Sequence, residues 1–523
     1  MAEKYILAHD LGTSGNKAIL ISVHGKIKAR VKEDYEIYFP QPGYAEQNPR
    51  EWWTAICRAT RRLLKESQVT PEDVVGITLS SQMQTLVPVG SNGEPLTNAM
   101  TWLDVRSAEI MHRKLWTPPR FMGYNIPKLL QFLNITGGCP GHTGKDQIGK
   151  ILWIKEYLPD VFRQTAKFVD VKDFAIHEMT GEFVSSVDLA TLWWLLDSRK
   201  NRNQWSARLC KLAGISPDQL SEVKESGAIA GYLTNKAAES MGLNAGTPII
   251  AGAGDIPAAA LGSGAISEGE LHVRIGTSGG VGGHFRKRKI DVAHYAGCIG
   301  SANPNEYYLG LAEQDTAGVC LEWIKDNIIY HEVQLKDENE GLEIYQIFDH
   351  LATEAPAGAE GLIFTPWIYG ERCPLDDDTV RASLFNLGLN HTKYHIIRAV
   401  FEGIAFNLRW AMETLENLYS PVSELRMVGG GAKSDIWCQI MADVTNRVIH
   451  QTADPHLVAA KGVALLASKT LGYIKSFEAI KDYIQVKNSY EPNPENRKLY
   501  DRHFKEFKNI YKQNKKWFRR MNR

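Results

Sequence analysis

HDLGTSGNK, residues 9–17, places a Gly-Thr-Ser-Gly turn between two strand-like segments, residues 5–8 and 18–23. A P-loop would instead lead from its glycines into a helix, with a lysine directly before Ser or Thr. The same turn recurs in LHVRIGTSGGVGGHF, residues 271–285. Two copies of a strand–turn–strand unit predict two related halves of the chain, each with a glycine-rich hairpin.

Composition narrows the class of protein. The chain has 523 residues, 44% of them apolar and 23% charged, as in soluble globular proteins, and this length predicts at least two large domains. Lysine plus arginine and aspartate plus glutamate number 60 each, so no net charge attracts nucleic acid or a membrane. The seven cysteines form no CxxC pair, which indicates reduced thiols. Without a signal-peptide core or an apolar run of about 18 residues, we expect a cytoplasmic protein that acts on small molecules.

Helical and strand-like patterns recur along both halves. In the first half we expect strands at residues 5–8, 18–23, 35–38, 75–80 and 247–255, helices at 49–66, 150–157 and 172–179, and an irregular insertion at 117–145. In the second half we expect helices at 256–261, 393–418 and 436–446 and a strand at 425–428. Because the pattern restarts after Asp255, we predict an N-terminal domain of residues 1–255 and a C-terminal domain of residues 256–523.

The C-terminal segment carries an aromatic stripe. Tyr500, Phe504, Phe507 and Tyr511 share one face of a predicted helix, with lysines and arginines around them. A basic helix of this kind can bind a membrane or nucleic acid. Because the charge of the whole chain is balanced, we expect the stripe to dock the helix on its own domain instead.

The two turns are candidate phosphate sites. Backbone N–H groups and hydroxyls at Gly12, Thr13 and Ser14, and again at Gly276 and Thr277, can hold phosphate oxygens. Asp10 would repel phosphate unless a cation lies between them, and Mg²⁺ on a nucleotide needs only one or two protein carboxylates. The alternative is a plain hairpin with Asp10 bonded to its own turn. The second copy of the turn favours the phosphate site. It therefore predicts that the chain binds a nucleoside triphosphate, with Asp10 beside the Mg²⁺ ion.

A third glycine cluster follows a predicted strand and opens a predicted helix. Glycines there would let a flat ligand approach the backbone, and helix N–H groups could cap its polar atoms. Alone the cluster is weak evidence, but beside two phosphate turns it predicts the adenosine site of ATP. The residues of this prediction are Gly430, Gly431, Ala432, Lys433 and Ser434.

Asp255 ends the predicted strand in Ala251-Gly-Ala-Gly-Asp255, where glycines would clear room around its carboxylate. It could serve as a helix cap. It could also be a general base that takes the proton of a hydroxyl nucleophile, as an aspartate does in kinases. The local sequence does not separate these roles.

These stretches resemble the FGGY-type carbohydrate kinases of the actin/hexokinase/Hsp70-like ATPase superfamily, along most of the chain. The resemblance implies an α/β fold of two RNase H-like domains with ATP and a sugar in the interdomain cleft. It makes Asp255 the proton acceptor and Asp10 the magnesium-linked aspartate. The motifs that carry it are Ala8–Gly15, Thr101–Arg106, Gly252–Asp255, Arg274–Ser278, Thr365–Arg372, Arg398–Gly403 and Gly429–Ser434.

Within the family the chain most resembles the xylulose kinases. The resemblance places the sugar on Met83, Gln84, Trp102, Asp104 and Ile256. Two of these depart from the family pattern, because Gln84 stands where a histidine is usual and Ile256 where an asparagine is usual. Glutamine can still bond to hydroxyls, whereas isoleucine cannot.

A lost hydroxyl contact can be supplied from elsewhere or change which sugar fits. His142 and Lys145, in the 117–145 insertion and its flank, are candidates for a compensating contact; the alternative for each is a solvated loop.

The resemblance predicts an ATP-dependent, Mg²⁺-dependent kinase that converts D-xylulose to D-xylulose 5-phosphate. An alternative keeps phosphoryl transfer but changes the acceptor to another pentulose, a polyol or an aldonic acid. A third is a non-catalytic ATP-dependent clamp on the same scaffold, which would need no base for a sugar hydroxyl. The sequence does not fix the oligomeric state, and a homodimer is left open.

Overall fold

The computed structural model describes residues 3–328 and 344–522, which divide into two units. The first unit comprises Met1–Ile266, Cys298–Leu309 and Leu457–Tyr483, and the second comprises Ser267–Gly297, Gly310–His456 and Ile484–Arg523. The sequence predicts a single division after Asp255. In the structure the chain first leaves the first unit after Ile266 and then returns to it twice.

The second segment that returns to the first unit, Leu457–Tyr483, packs there through a close helix pair. Helix Asp255–Ser263 packs against helix Val458–Thr470 within the first unit. A side chain at Gly262 would meet the Val458 carbonyl oxygen at 1.8 Å, and one at Gly462 would meet the Ala258 carbonyl oxygen at 2.2 Å. Only glycine allows the two backbones to approach this closely.

The first unit is built on a six-stranded sheet. Three neighbouring central strands are parallel, and the strands on both sides of them are antiparallel. The parallel strands are almost wholly buried, which explains why their sequences do not alternate between apolar and charged residues. In spatial order the strands are Ile229–Tyr232, Pro248–Gly254, Val74–Ser81, Tyr5–Leu11, Gly15–Ser22 and Ile27–Asp34.

The second large sheet has seven strands and repeats this topology. From its second strand onward it shows a hairpin across a Gly-Thr-Ser-Gly turn, two further parallel strands and an antiparallel edge strand. The shared order agrees with the duplication that the repeated turn predicts. In spatial order the strands are Gly297–Gly300, Tyr308–Gln314, Gly279–Phe285, Leu271–Ile275, Glu424–Val428, Val448–Thr452 and Val486–Tyr490.

Helices surround each sheet. Those of the first unit are Pro49–Ser67, Ala108–Ile110, Ile126–Thr136, Gln147–Tyr157, Pro159–Gln164, Val171–Thr180, Val187–Thr191, Ala207–Ala213, Asn235–Met241, Asp255–Ser263 and Val458–Thr470, with a π-helical segment at Met111–Leu115 and 3₁₀ turns at Pro71–Asp73, Pro217–Gln219 and Glu478–Tyr483. Those of the second unit are Gly318–Asn327, Ile344–Thr353, Lys393–Leu418, Asp435–Thr445 and Arg497–Met521, with 3₁₀ turns at Ala359–Gly361, Gly430–Lys433 and Pro494–Asn496. Within residues 3–328 and 344–522, no helix is both long and apolar enough to cross a bilayer.

Short strand pairs complete the fold. Each pair has two or three residues per strand and joins loops rather than extending a large sheet. The pairs are Glu46–Gln47 with Ala99–Met100, Val87–Val89 with Lys167–Val169, Arg120–Phe121 with Tyr124–Asn125, Val184–Ser186 with Glu222–Lys224, Leu196–Asp197 with Gln204–Trp205, and Ile363–Thr365 with Ser383–Phe385.

Two sequence predictions of secondary structure are wrong. The third strand is Ile27–Asp34 and not residues 35–38; it is an edge strand in which Ile27, Ala29 and Val31 alternate with exposed charged residues, so it lacks the continuous apolar run that marks the central strands. The insertion at 117–145 is not irregular throughout, because it contains helix Ile126–Thr136. Asn125 caps this helix by accepting the Lys128 N–H, a signal that the sequence does carry.

The C-terminal helix packs on its own unit, as predicted. Tyr500, Phe504 and Phe507 are buried in the hydrophobic core of the second unit. The Tyr500 hydroxyl donates to Glu402 at 2.8 Å, and Arg398 pairs with the same carboxylate at 2.9 Å. The family-like motif that contains Arg398 and Glu402 therefore anchors this helix.

Candidate active site

Three parallel strands bring the predicted catalytic carboxylates to one edge of the first sheet. Strand register places Leu11 opposite Ser81, and Ser81 opposite Gly254. Asp10 thus lies at the carboxyl end of one strand, and Asp255 directly follows the end of another. The loop with the predicted sugar contacts follows the strand between them. Ligands of open α/β sheets bind at this edge, so the arrangement forms a candidate active site within one unit.

One carboxylate oxygen of Asp10 is available to a ligand. The side chain is buried, its Oδ2 lies 3.4 Å from Lys17 Nζ, and its Oδ1 has no hydrogen-bond partner among the described residues. A buried oxygen without a partner costs free energy, which a bound cation or its water would offset. No cluster of three or more His, Cys, Asp or Glu side chains in the described chain forms a metal site of its own. One carboxylate fits Mg²⁺ that arrives with a nucleotide.

The first turn, residues 12–15, is held by side chains from its surroundings. The Gly12 N–H bonds to the Gly15 carbonyl at 3.0 Å, and the Tyr35 hydroxyl donates to the Gly12 carbonyl at 2.5 Å. Trp102 Nε1 donates to Thr13 Oγ1 at 2.9 Å. Ser14 is exposed at the tip. The predicted phosphate turn and the predicted sugar-binding tryptophan are therefore in contact.

The second turn, residues 276–279, is held by its backbone. The Gly276 carbonyl accepts the Gly318 N–H at 2.8 Å, and the Thr277 carbonyl accepts the Ala317 N–H at 3.0 Å. Arg274 occupies the place that Asp10 has in the first stretch, two residues before the glycine, and pairs with Glu313. The two turns thus carry opposite charges at matching positions.

The third glycine cluster connects strand Glu424–Val428 to helix Asp435–Thr445, as predicted. Ser434 Oγ accepts the Trp437 N–H at 3.0 Å as the helix cap and donates to Asp349 at 2.6 Å. Gly431 and Ala432 are buried, whereas Gly430 and Lys433 are exposed. A side chain at Gly430 would meet nothing within 4 Å. The open face for a ligand is therefore at Gly430 and Lys433.

Asp255 is the first residue of helix Asp255–Ser263 and is half-buried. Its Oδ1 accepts the N–H of Ile256 at 2.8 Å. The preceding glycines make room for groups other than this carboxylate. A side chain at Gly254 would clash with Met83 Sδ at 2.5 Å, and one at Gly252 would clash with the Leu79 carbonyl at 1.9 Å. These glycines admit Met83 and the neighbouring strand.

Asp188 holds the residue before Asp255, a role that sequence reasoning missed. It is fully buried, and its Oδ2 accepts the Gly254 N–H at 2.7 Å. Its Oδ1 accepts the Ser226 hydroxyl at 2.6 Å. Burial raises the pKa of Asp188, and the buried Lys172 opposes that rise. The structure thus fixes the start of the helix that presents Asp255.

The two predicted sugar loops are joined by Lys150, which sequence reasoning also missed as a site residue. Its Nζ is fully buried and donates to the carbonyls of Gln84 at 2.6 Å and Thr101 at 2.7 Å. Burial lowers the pKa of Lys150 to about 8, and the negative charge of Asp104 opposes this shift. Lys150 therefore sets the spacing between the loops of Gln84 and Trp102.

Asp104 is placed differently from a side chain that faces a sugar. It is fully buried, its Oδ2 accepts the Ala45 N–H at 2.8 Å, and both of its oxygens accept from Arg106. This carboxylate holds the turn that presents Trp102. Ile256 is half-buried beside Asp255.

The two candidates for compensating contacts differ in position. Lys145 Nζ lies 5.8 Å from the Trp102 ring centroid, so it reaches the predicted sugar site. The His142 ring stacks on His112 at 5.1 Å, in the segment before the insertion, and packs on Tyr124 at 4.0 Å, within the insertion.

Comparison with known proteins matches most of the chain to one family. Residues 5–262 match the N-terminal domain, and residues 271–471 the C-terminal domain, of the FGGY family of carbohydrate kinases. A gluconokinase from Bacillus licheniformis is 30% identical over 95% of this chain and 93% of its own length. A xylulose kinase from Bacillus subtilis is 31% identical over 97% of each chain.

Solved structures that resemble this chain include the same two kinds of kinase. A gluconate kinase from Lactobacillus acidophilus is 28% identical, covers 98% of each chain and superposes with a TM-score of 0.85. A ligand-bound xylulose kinase from the same species is 27% identical, covers 99% of this chain and 100% of its own, and superposes with a TM-score of 0.87. The predicted two-domain α/β fold of the actin/hexokinase-like ATPases is confirmed.

Proposed function

Because the chain belongs to the FGGY family of carbohydrate kinases, we propose that it transfers the γ-phosphoryl group of ATP to D-xylulose, giving D-xylulose 5-phosphate and ADP. The observation that carries this proposal is the convergence of Asp10 and Asp255 at one sheet edge, next to the loop of Met83 and Gln84. A carboxylate that can take a proton and one that can face a cation are what phosphoryl transfer to a hydroxyl needs.

In the proposed reaction the Asp255 carboxylate takes the proton of the attacking sugar hydroxyl. The hydroxyl oxygen forms the new bond to the γ-phosphorus as the bond from phosphorus to the bridging oxygen of ADP breaks. Mg²⁺, when bound with the nucleotide, would neutralise phosphate charge, and Asp10 would hold it directly or through water. Trp102 and Gln84 orient the sugar so that the correct hydroxyl faces Asp255.

The nucleotide is assigned to both turns and to the third glycine cluster. Backbone N–H groups at Gly12, Thr13, Gly276 and Thr277 would hold phosphate oxygens, and the exposed face at Gly430 and Lys433 would hold adenosine. As part of the proposal, residues 1–255 bind the sugar and residues 256–523 bind adenosine. We also propose that the enzyme works in the cytoplasm, with a homodimer left open.

A second candidate is gluconate kinase, because gluconokinases and xylulose kinases match the chain at similar identity. D-gluconate carries a carboxylate, which D-xylulose lacks, and Lys145 beside Trp102 could pair with it. Other pentuloses and polyols remain alternatives on the same scaffold.

A coupled assay of ADP release separates these substrates. The panel is D-xylulose, D-ribulose, xylitol, glycerol and D-gluconate, each with ATP and Mg²⁺ and each compared with the rate without an acceptor. We expect the highest kcat/KM with D-xylulose. A higher value with D-gluconate would replace the ketopentose by the aldonate, and the absence of acceptor-dependent release throughout would contradict the proposal.

A further inference from the structure

Gln84 is held in a strained backbone conformation. Its φ is +61°, in the left-handed region that residues other than glycine seldom occupy. The donation of Lys150 Nζ to the Gln84 carbonyl stabilises this conformation. Strain of this kind persists where the surroundings fix it, and it concentrates at ligand sites. The backbone of Gln84 is thus fixed before any sugar binds.

The side chain of Gln84 is fixed by Asp146. Gln84 Nε2 donates to Asp146 Oδ1 at 2.9 Å, and Trp194 Nε1 donates to the same oxygen at 2.7 Å. The other oxygen of this buried carboxylate accepts the Gly141 N–H at 2.8 Å. A carboxylate in this bonding pattern only accepts, so the Gln84 amide must turn its NH₂ group toward it. This bond takes up one amide N–H, so Gln84 can offer a ligand its amide oxygen, Oε1, and its second N–H.

We infer that Asp146 is a positioning residue that fixes the orientation of the Gln84 amide, and that the site therefore selects a neutral sugar hydroxyl at this position over a carboxylate. This inference rests on the proposed function, since it concerns the sugar site of the same kinase. A substrate hydroxyl can donate to Oε1 and accept from the second amide N–H, whereas a carboxylate can only accept and would face the negative charge of Asp146 behind the amide. Sites built to bond a hydroxyl discriminate strongly against ligands without the donor.

Lys145 brings a positive charge to this site, opposite in sign to the charge of Asp146. Its ammonium lies near the Trp102 ring, where it could attract an aldonate. Substitutions separate the effect of the Lys145 charge on ligand binding from the effect of the Gln84 amide. Removal of the Lys145 charge would weaken binding of the aldonate alone, whereas release of the Gln84 amide would reduce the preference for the ketose.

The test is equilibrium binding of D-xylulose and D-gluconate by calorimetry, which does not depend on turnover. The proteins are the wild type, Asp146→Asn, Trp194→Phe and the control Trp205→Phe. Trp205 also donates its indole N–H, but to the Ser221 carbonyl. We expect the wild type to bind D-xylulose at least about tenfold more tightly than D-gluconate. In Asp146→Asn the Gln84 amide can turn either way, so this ratio should fall by about tenfold; Trp194→Phe should lower it less, and Trp205→Phe should leave it unchanged.

If Asp146 had only a structural role, its substitution would weaken the binding of both ligands by the same factor, and the ratio of their affinities would stay constant. A constant ratio in folded Asp146→Asn, or a wild type that prefers D-gluconate, would overturn the inference. If D-xylulose binds with the expected preference but is not phosphorylated, the proposed function fails and the inference stands. If neither ligand binds, both fail.

Discussion

The indole N–H of Trp102 donates to the hydroxyl of Thr13 at 2.9 Å. One of these residues is predicted to contact the sugar, and the other belongs to the first Gly-Thr-Ser-Gly turn, where phosphate is predicted. The bond gives the sugar-binding side chain and the phosphate turn a fixed spacing before any ligand binds, which is the preorganisation that phosphoryl transfer requires.

Thr13→Val should therefore disturb the sugar as well as the nucleotide. It leaves the Trp102 N–H without its acceptor, a loss of about 1–3 kcal/mol, so the KM for D-xylulose should rise by about fivefold or more. Thr13→Ser keeps the hydroxyl and should remain near the wild type. Thr277→Val, at the matching position of the second turn, should raise the KM for ATP and not that for the sugar. A Thr13→Val enzyme with an unchanged sugar KM would show that the bond to Trp102 does not position the ligand.

Asp188→Ala should lower kcat although Asp188 itself is not placed to touch substrate. It removes the acceptor of the Gly254 N–H and so loosens the residue before the base. Displacement of a reacting group by about 1 Å can cost about 10²-fold in rate. Asp188→Asn retains an oxygen for this N–H and should recover most of the rate, with both KM values little changed. Equal rates in the wild type and a folded Asp188→Ala would contradict this role.

Asp10→Ala should change the use of magnesium rather than sugar binding. Its buried Oδ1 is the oxygen available to a cation. Titration of activity with Mg²⁺ at fixed ATP should show a higher requirement and a lower maximal rate, with the KM for D-xylulose unchanged. Lys17→Met, which removes the neighbouring charge 3.4 Å away, controls for loss of the ion pair alone. An unchanged magnesium dependence in Asp10→Ala would remove Asp10 from the metal site.

The stability of the second unit should depend on His272. Burial, with Arg274 and His284 adding to it, lowers the pKa of His272 to about 3 from an ordinary value near 6.5. Between these values the unfolded chain binds a proton that the folded chain does not, so stability must fall as the pH falls from about 6.5 toward 3. Denaturant unfolding between pH 7 and pH 4.5 should show this slope, and His272→Gln should reduce it. An equal slope in the variant would assign the acid sensitivity to other groups.

Local patterns predict a large part of this fold and site. The two turns, Asp10 and Asp255 were found because apolar runs, glycines and a carboxylate are adjacent in the sequence. The strand Ile27–Asp34 was missed because it has no continuous apolar run, although its apolar residues Ile27, Ala29 and Val31 alternate with charged ones.

The supporting residues could not be found in this way. Asp188 meets Gly254 and Lys150 meets Gln84 across 66 residues each, and Asp146 meets Gln84 across 62. Such pairs are set by tertiary packing, and neither partner carries a local signature of the contact.

The central claim is that Asp255 takes the proton of the sugar hydroxyl, and Asp255→Asn tests it most directly. The measurement is single-turnover phosphoryl transfer from ATP to D-xylulose, or to whichever acceptor the panel identifies, together with ATP affinity by calorimetry. Loss of a general base should slow transfer by about 10²–10⁴-fold, while ATP binds as in the wild type. Transfer at nearly the wild-type rate by a folded Asp255→Asn protein would contradict the account.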